Sequence, residues 1–497
     1  MNLGVRYDLQ LTPAPALPNT SSALATEYNT TIKNVTDRVQ PRIGISWNAR
    51  KGTVVRGGYG IFTGLNQGST YYAMRVENGM YQINYNYTGC GASCSAAASL
   101  TFPNVPFNVP GPSLSGALYP SGGTAPAVSG PTLLGAQSFH GLSPAFVPPL
   151  VHEFGLAVEQ ALPGKMSLSV GYVGSRGLRL PVFTDANLVG QTPHGLHSYN
   201  ITYPSGTTSL VTVPFYLTTD RINTSLSSIN AGFSVANSWY HSMAVTVRRP
   251  FDHGLEVLLN YTWAKALDDD MVSGAFGTFY GGNPILDPNN IKGEYGRSDI
   301  DMRERFIGTV LWKPEIMLGN KFVKQGLDGF TFSGTATEST GFPIVASMSG
   351  TVTGGADGNI YGGSMSSSSG AATTGRPPEI QRNSLPGPGI RNIDFRITRE
   401  IPVHNKMNMQ FIGEAFNLLN HEIYSSVNST FATYTAMTTV AKPTSCAVTT
   451  APVGSTFIGC ITPYSASSPS GAFGVRTGTN SVLYGPRQIQ VSAKFNF

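Results

Sequence analysis

The amino-acid sequence predicts an all-β fold, a transmembrane antiparallel β-barrel with long extracellular loops. Segments of about ten residues alternate between apolar and polar side chains, which is the pattern of tilted strands that cross a bilayer. The connections between these segments alternate between short turns and long loops, and the tryptophans lie on the apolar parity. Short turns at one end, long loops at the other and aromatic belts at both interfaces are typical of such barrels.

The last segment, residues 486–497, shows the alternation most clearly. Its odd positions from 489 onward are apolar, and its even positions from 488 to 496 carry glutamine, serine, lysine and asparagine. Because a strand has a period of two residues, this segment has one apolar face and one polar face. A terminal strand that ends on a phenylalanine, here Phe497, is typical of bacterial outer-membrane barrels, whereas the ends of soluble chains usually fray.

Eleven further segments repeat this pattern, which predicts about twelve strands in all. They lie at residues 3–9, 43–47, 55–61, 154–158, 166–172, 243–247, 255–263, 306–312, 330–336, 393–397 and 407–411. The sequence predicts irregular polar loops at 11–40, 63–149 and 173–238. Each of the four tryptophans is expected near the end of a strand; they are Trp47, Trp239, Trp263 and Trp312.

The bulk composition is unusual for a soluble domain. Charged residues make up 12% of the chain, about half of the roughly 25% that is usual. No run of about 18 apolar residues occurs, so no transmembrane helix is predicted. The net charge of +5 is small and the basic residues are scattered, which disfavours nucleic-acid binding. Residues 1–6 lack the basic and apolar regions of a signal peptide, so either the signal lies upstream of Met1 or the membrane interpretation is wrong.

The four cysteines form two local pairs in the sequence, Cys90 with Cys94 and Cys446 with Cys460. Two loop disulfides in an oxidising compartment are one interpretation. A zinc ribbon is the other, but the first pair lacks a matching second half with nearby histidines. The spacing favours the disulfides.

Motifs that could carry chemistry have simpler explanations. Asp268, Asp269 and Asp270 could bind Ca²⁺, but they lack the alternate spacing and the glycine of a calcium loop, which favours a solvated acidic loop. The glycines at 57–60 lie in a strand with no helix after them to hold a phosphate. Ser175 is not followed by the helix of a nucleophile elbow, and a turn is expected there. The eight histidines are dispersed. We therefore predict no catalytic, cofactor-binding or metal-ligating residue, and no enzyme.

A run of charges at 297–305 shares one parity, which we assign to the polar, lumenal side. The charges could contact a substrate, or they could form a ladder of salt bridges that keeps neighbouring strands in register. The ladder is favoured because polar lumens are the rule in such barrels. Glu304 has the opposite parity and is expected near the rim, since a carboxylate in the middle of a membrane is costly. The run consists of Arg297, Asp299, Asp301, Arg303 and Arg305.

Seven motifs, which occur in order over nearly the whole chain, resemble one family. The chain is similar to the β-barrel of TonB-dependent outer-membrane transporters of the Oar-like group, the type abundant in Acidobacteria. The most specific motif is the Gly-Tyr-Val-Gly-Ser-Arg-Gly run at 171–177. The others are residues 2–7, 41–44 with 56–62, 261–269, 296–306, 339–343 and 414–420.

This resemblance implies a receptor of the outer membrane of a Gram-negative bacterium that takes up an unidentified oligosaccharide, peptide or chelate. Members of the family carry a signal peptide, a plug domain and a TonB box, and their barrels have about twenty-two strands. Residues 1–497 show none of the first three and about twelve strands. We therefore expect the carboxy-terminal portion of the barrel, without its plug, and expect the TonB complex to act through the missing region.

Two other functions remain open. A secreted or surface β-rich adhesin or binding protein would leave the tryptophan placement unexplained. A β-rich hydrolase has less support, because no acid/base pair of carboxylates stands out. No cofactor is expected; outer-membrane lipid is an expected partner.

The strand pattern also makes three geometric predictions. Trp263 and Trp312 should lie at opposite rims of an apolar belt. The first and last strands should remain unpaired with each other, which leaves an open barrel. Six polar side chains should point inward, and their apolar neighbours Val257, Leu259, Phe395, Ile397, Met409 and Phe411 should point outward; the six are Glu256, Asn260, Asp394, Arg396, Gln410 and Glu414.

Overall fold

The structure is a computed structural model of the chain. It describes residues 1–30, 32–65, 68–80, 84–85, 137–202, 208–269, 285, 287–314, 329–349, 361–362, 374–375, 380–404, 407–436, 455–463, 473–479 and 485–497. Strands dominate the described residues, and none of the helices within these ranges is long and apolar enough to cross a membrane.

The elements alternate between long strands and short pieces that belong to the connections. Two α-helices occur, α1 at Ala23–Asn29 and α2 at Gly68–Val76, with short 3₁₀ turns at Thr218–Asp220 and Ile291–Glu294. The strands are β1 Asn2–Gln10, β2 Val35–Arg50, β3 Thr53–Thr63, β4 Asn84–Tyr85, β5 Gln137–Leu142, β6 Leu150–Leu162, β7 Met166–Asp185, β8 Gly195–Thr202, β9 Thr208–Tyr216, β10 Leu226–Asp252, β11 Leu255–Asp268, β12 Gly296–Arg297, β13 Glu304–Trp312, β14 Phe330–Ser339, β15 Pro343–Ile344, β16 Ser347–Ser349, β17 Tyr361–Gly362, β18 Thr374–Gly375, β19 Leu385–Pro386, β20 Ile390–His404, β21 Met407–Phe416, β22 Tyr424–Val427, β23 Thr430–Ala436, β24 Ser455–Pro463, β25 Arg476–Thr479 and β26 Gln488–Asn496.

Twelve of these strands form one continuous path through the main sheet. The order is β1-β2-β3-β6-β7-β10-β11-β13-β14-β20-β21-β26, and every neighbouring pair is antiparallel. These are the twelve segments that the sequence pattern predicts, so the predicted β fold is confirmed. Consecutive strands of the path are antiparallel neighbours, because each short turn or longer loop returns the chain beside the strand that it has just left.

The register places the apolar parity of all twelve strands on one face. Val55 pairs with Val158, Val158 with Val170, and Val170 with Val245, which in turn pairs with Tyr261. Directly opposed residues point to the same side of a sheet, so this row is apolar across five strands. The other parity forms an equally continuous polar face. A slip of one residue in any strand would exchange the two faces locally.

The orientations predicted for individual side chains are confirmed by this register. The six polar residues predicted to point inward all lie on the polar face, and their six apolar neighbours lie on the other. Trp263 pairs with Glu304 at the long-loop end of β13, and Trp312 lies eight residues further along at the short-turn end. That separation is about 26 Å along the strand, or about 20 Å in height for a strand tilted by about 40°, which covers most of the roughly 25 Å apolar band of an outer-membrane barrel.

The main sheet is open, as expected. Its path ends at β1 on one side and at β26 on the other, and within the described residues no ladder joins these two strands. Apolar side chains of both edge strands are strongly exposed, for example Leu3 at 73% and Val491 at 80%. Unpaired N–H and C=O groups at such an edge cannot face hydrocarbon without a large cost, so both edges require a covering strand in a membrane.

The predicted loops contain more structure than the sequence indicates. The prediction of irregular loops is wrong for parts of 11–40, 63–149 and 173–238, where α1, α2, β5, β8 and β9 lie. Both β7 and β10 continue well beyond the other strands, and they pair with each other up to Asp185 and Asn230. Ser175 therefore lies inside β7 and not in a turn. Above a membrane both faces of a strand can meet water or protein, so the alternation that identifies a strand is lost there.

Two tryptophans do not lie near strand ends as predicted, because β10 and β11 are longer than the sequence pattern indicates. Trp239 lies in the middle of β10, and Trp263 lies five residues before the end of β11. Each still lies on the apolar face, Trp239 opposite Leu267 and Trp263 opposite Met243. The strands extend past the belt of aromatic residues, so a position at the belt no longer coincides with the end of a strand.

The protruding part of β7 and β10 supports a small buried core, which we call the loop cap. Strand β5 adds to β10 in parallel, and α1 packs on β5 so closely that a Cβ at Gly141 would lie 2.8 Å from the carbonyl oxygen of Tyr28. Ser22 caps α1 by accepting a hydrogen bond from the N–H of Ala25 at 3.1 Å. The main cluster of the cap comprises Leu24, Ala25, Tyr28, Phe139, Ala186, Leu226, Ile229 and Ala231.

Three of the four cysteines lie outside the described residues. These are Cys90, Cys94 and Cys446, whereas Cys460 lies in β24. The two loop disulfides therefore stay a prediction.

Spin labels on neighbouring positions of one strand test the two faces. Labels at Leu259→Cys and Val257→Cys should be accessible to oxygen dissolved in lipid, because these side chains lie on the apolar face. Labels at Asn260→Cys and Glu256→Cys should instead be accessible to a water-soluble nickel chelate. Equal access of both reagents at all four positions would contradict the register of β11.

Candidate functional site

The polar face of the main sheet is a wall of paired charges and amides. Arg56 Nε donates to Glu159 Oε1 at 3.0 Å between β3 and β6, and Arg396 Nη1 lies 3.5 Å from Glu414 Oε1 between β20 and β21. Thr246 donates to Asn260 Oδ1 at 3.0 Å. These groups are exposed or half-buried, so each contributes at most about 1 kcal/mol to stability. More important is that these polar side chains follow one another without a break, so that water can contact this face along the whole sheet.

At the long-loop end the wall continues into a buried ionic cluster around Arg382. This guanidinium is almost fully buried, donates through Nε to the carbonyl oxygen of Glu294 at 3.1 Å, and contacts the carboxylates of Asp268 and Asp299. Burial lowers the pKa of Arg382 to about 10. Asn383, which adopts a left-handed backbone conformation with φ of 55°, donates to the carbonyl oxygen of Arg297 at 2.8 Å. The cluster thus joins two connections, the one between β11 and β13 and the one between β14 and β20.

The acidic run at 268–270 is engaged in this cluster as far as the structure describes it. Asp268 is paired with Arg382, and Asp269 accepts hydrogen bonds from the backbone and side-chain amides of Asn237. Asp270 lies outside the described residues. Within the described ranges no group of three or more histidine, cysteine, aspartate or glutamate residues is arranged to hold a metal ion. Asp268 and Asp269 are therefore part of the packing at the rim and are not solvated.

The predicted single parity of the run at 297–305 is wrong. Arg297 belongs to β12 and pairs with Leu267 on the apolar face, the chain turns at 298–301, and Arg305 lies in β13 on the polar face. The predicted salt bridges do occur, but mostly around one residue. Asp301 is fully buried and accepts from Arg297 Nε at 2.8 Å and from Arg303 Nη2 at 3.5 Å.

Glu304 lies where its parity requires. It is the first residue of β13, opposite Trp263 on the apolar face, and it is exposed. Its position at the long-loop end of the strand confirms the expected place near the rim.

The loop cap holds a second group of buried titratable side chains. Asp185 accepts hydrogen bonds from the N–H groups of Ile229 at 2.9 Å and Asn187 at 3.0 Å, and burial raises its pKa to about 6. His140 Nδ1 lies 2.8 Å from Glu77 Oε2. Burial lowers the pKa of His140 to about 4 and raises the pKa of Glu77, so both shifts oppose charge in the cap.

Sequence reasoning missed Arg382, Asp185 and the pair of Glu77 and His140. Each is an isolated residue in a segment without periodicity, and its partners lie far away in the chain. Arg382, for example, contacts residues 83 to 114 positions earlier. Asp185 has a weak local signal, because an aspartate that begins a turn often accepts the N–H two residues later, as Asn187 does here.

One protein-family model matches nearly the whole chain. The model of the family described as outer membrane beta barrel domain matches residues 1–490. The chain belongs to this family, and it is a protein of the outer membrane. In such barrels the apolar face contacts lipid, the polar face lines the interior, and the long loops lie outside the cell.

Solved structures of outer-membrane proteins are similar to this chain at low identity and low TM-score. The outer-membrane transporter YddB from Escherichia coli is 9% identical, with a TM-score of 0.38 over 78% of this chain and 38% of its own. FpvA of Pseudomonas aeruginosa bound to pyoverdines is 9% identical, with a TM-score of 0.38 over 80% and 31%. The ferric-catecholate import receptor Fiu from Escherichia coli is 9% identical, with a TM-score of 0.32 over 80% and 34%. The matched region spans about a third of the length of these three chains. No curated protein matches the sequence.

Replacement of Arg382 tests the ionic cluster. Arg382→Ala leaves two buried or half-buried carboxylates without their cation, which should lower the free energy of local opening of residues 294–301 by about 3–5 kcal/mol. Arg391→Ala is the matched control, because Arg391 pairs with Glu338 at 2.6 Å on an exposed surface and should cost at most about 1 kcal/mol. Hydrogen exchange measures both; equal effects would contradict the structural role of Arg382.

Asp185 should make the loop cap pH-dependent. The pKa of about 6 in the folded cap exceeds the ordinary value of 3.8, so the stability contributed by the protonated form is complete below pH 3.8. It is lost as the pH rises to about 6, and about 3 kcal/mol separates the two limits. Asp185→Asn keeps the accepting oxygen and removes the ionisation.

Hydrogen exchange at Ile229, corrected for intrinsic rates, measures this effect. The advantage of Asp185→Asn over the unaltered chain should grow from pH 4 to pH 6 and stay constant above. Amides of β13 serve as the internal control and should not differ between the proteins. A difference that is independent of pH would exclude ionisation of Asp185 as the cause.

Proposed function

We propose that this chain forms the barrel wall of a TonB-dependent outer-membrane transporter. The observation that carries the proposal is the pair of continuous faces over twelve strands, apolar on one side and polar on the other. A polar interior enclosed by lipid-facing side chains provides a path for a hydrophilic solute across the membrane. The seven motifs that resemble Oar-like transporters support the same function.

The open edges support a second part of the proposal. Residues 1–497 would be the carboxy-terminal portion of a wider barrel, whose other strands pair with β1 and β26. Energy from the TonB complex would reach the substrate through a plug region outside these residues. Such a protein moves its substrate and does not transform it, so we propose no catalytic role.

The substrate would be selected by the loops and not by the wall. Wall charges such as Arg56 and Glu159 neutralise each other in pairs, which suits a hydrated passage more than one specific ligand. Strands from three different connections assemble into a separate sheet in the order β17-β9-β8-β24-β23-β16-β18. An oligosaccharide, a peptide or a metal chelate would meet this sheet before it reached the wall.

Uptake by the living cell tests the proposal. Deletion of the gene should abolish energy-dependent accumulation of one labelled substrate class among oligosaccharides, peptides and ferric chelates. An uncoupler that collapses the proton gradient should have the same effect on the unaltered strain, and restoring the gene should restore uptake.

A surface adhesin predicts a different result. Deletion would then leave the accumulation of every labelled class unchanged and would reduce attachment of the cells to a surface or to other cells. That outcome would overturn the transport proposal.

A further inference from the structure

A group of basic and aromatic side chains lies on the lipid-facing side of the sheet, at the long-loop end. We call it the outer basic patch and define it as His152, Arg176, Trp239, His241 and Lys265. All five lie on the apolar parity of β6, β7, β10 and β11. The rest of this face is lined by valine, leucine and tyrosine. Cations are unexpected there, because a charge near hydrocarbon is costly.

The register brings these side chains together in two adjacent rows. In the first row His152 pairs with Arg176 and Arg176 pairs with Trp239. In the second row His241 pairs with Lys265. Directly opposed side chains have Cβ atoms about 5 Å apart, and diagonal neighbours about 7–8 Å apart. Four basic side chains and one tryptophan thus border one small area of the surface.

Arg176 is held in place but is not satisfied. Its guanidinium carbon lies 3.7 Å from the centre of the Trp239 ring, and Tyr295 packs edge-on against the same ring at 5.3 Å. Within the part of the chain that the structure describes, Nη1 of Arg176 is buried and has no hydrogen-bond partner. Arg176 as a whole is half-buried, and a stacked guanidinium at a surface is suited to a planar or tetrahedral oxyanion.

The two histidines are also oriented by neighbours on the same face. The hydroxyl of Tyr59 lies 2.7 Å from His152 Nδ1, and the hydroxyl of Tyr172 lies 2.7 Å from His241 Nδ1. When a tyrosine hydroxyl donates to Nδ1, the proton of a neutral imidazole lies on Nε2. Each ring then presents one further N–H donor.

The local charge is positive. Among the described residues no salt bridge reaches Arg176 or Lys265, whereas Arg297, beyond Leu267 in the first row, is paired with Asp301 at 2.8 Å. Glu304 lies on the same face one row closer to the membrane centre, beside Trp263. The Asp301 carboxylate is occupied by Arg297 and by the N–H of Ala266. An anion at the patch would therefore meet two unpaired cations.

The height of the patch on the barrel indicates what kind of anion this is. The patch lies one to two rows beyond Trp263, which marks the long-loop rim of the apolar belt, so it lies at the height of the polar headgroups of the outer leaflet. Below the patch the same strands present Tyr172, Met243 and Val245, on which acyl chains can pack. A molecule bound here has its charged part beside Arg176 and its apolar part along the strands.

We propose that the outer basic patch binds the phosphorylated headgroup of an outer-leaflet lipid. A transported solute would bind on the opposite, polar face, so this site is separate from the transport path. Free phosphate would lack the apolar contacts below the patch. The inference rests on the lipid-facing orientation of the apolar parity and not on the proposed transport function.

Native mass spectrometry of the protein purified from its own outer membrane tests the proposal. The probes are lipid A with two phosphates, its monophosphorylated form and its fully dephosphorylated form, each added to detergent micelles. Retention should fall with each phosphate removed. Arg176→Gln combined with Lys265→Gln should weaken retention of the doubly phosphorylated lipid about thirtyfold, from two surface cations.

The matched control removes two cations from the polar face. Arg248→Gln combined with Lys494→Gln changes the net charge equally and should leave lipid retention unchanged. Mobility on gels before and after heating shows whether each variant is folded. If the patch variant does not fold, the comparison of the three lipids on the unaltered protein decides.

Three results would overturn the proposal. The first is equal retention of the phosphorylated and dephosphorylated lipids, which would mean that only the acyl chains bind. The second is an equal loss in the patch and control variants, which would mean that net charge alone matters. Retention that is also competed away by inorganic phosphate at matched concentration would indicate an adventitious anion site and would count against a lipid.

Discussion

The constraint on which this structure depends is that backbone N–H and C=O groups inside hydrocarbon must be paired within the protein. Twelve antiparallel strands satisfy it along the sheet, where each strand bonds to the next in an unbroken register. The same constraint is unmet at β1 and β26, where the backbone groups of one edge have no pairing strand within the described residues. In the part of the chain that the structure describes, each of these two strands has a ladder on one side only.

Successive side chains of a strand point to opposite faces of the sheet, so the hydrogen-bonded register assigns each side chain to one of two environments. The polar face can hold Arg56, Glu159, Arg396 and Glu414 without loss, since water reaches it. The apolar face tolerates charge only at its ends, which is where Glu304, Arg176 and Lys265 lie. The two faces of one sheet therefore separate a polar interior from a lipid-facing surface.

The long-loop end follows different physics. There the chain is out of the membrane and folds as small soluble proteins do, with the apolar core of the loop cap and the buried charges of Arg382, Asp268 and Asp301. Buried charges of this kind are costly to remove singly but add little net stability as pairs. Their value here is geometric, because Arg382 ties together connections that come from different strands.

The sequence by itself determined the twelve strands, their faces and their order, because alternation and turn length are local properties that any tilted strand in a bilayer must show. It also placed Trp263, Trp312 and Glu304 at the correct ends of the apolar belt. Only the tertiary structure decided how far β7 and β10 extend, since the alternation ends where the membrane ends. It alone brought Arg382 to Asp268 and Arg176 to Trp239, because contacts between distant segments leave no periodic signal in a single sequence.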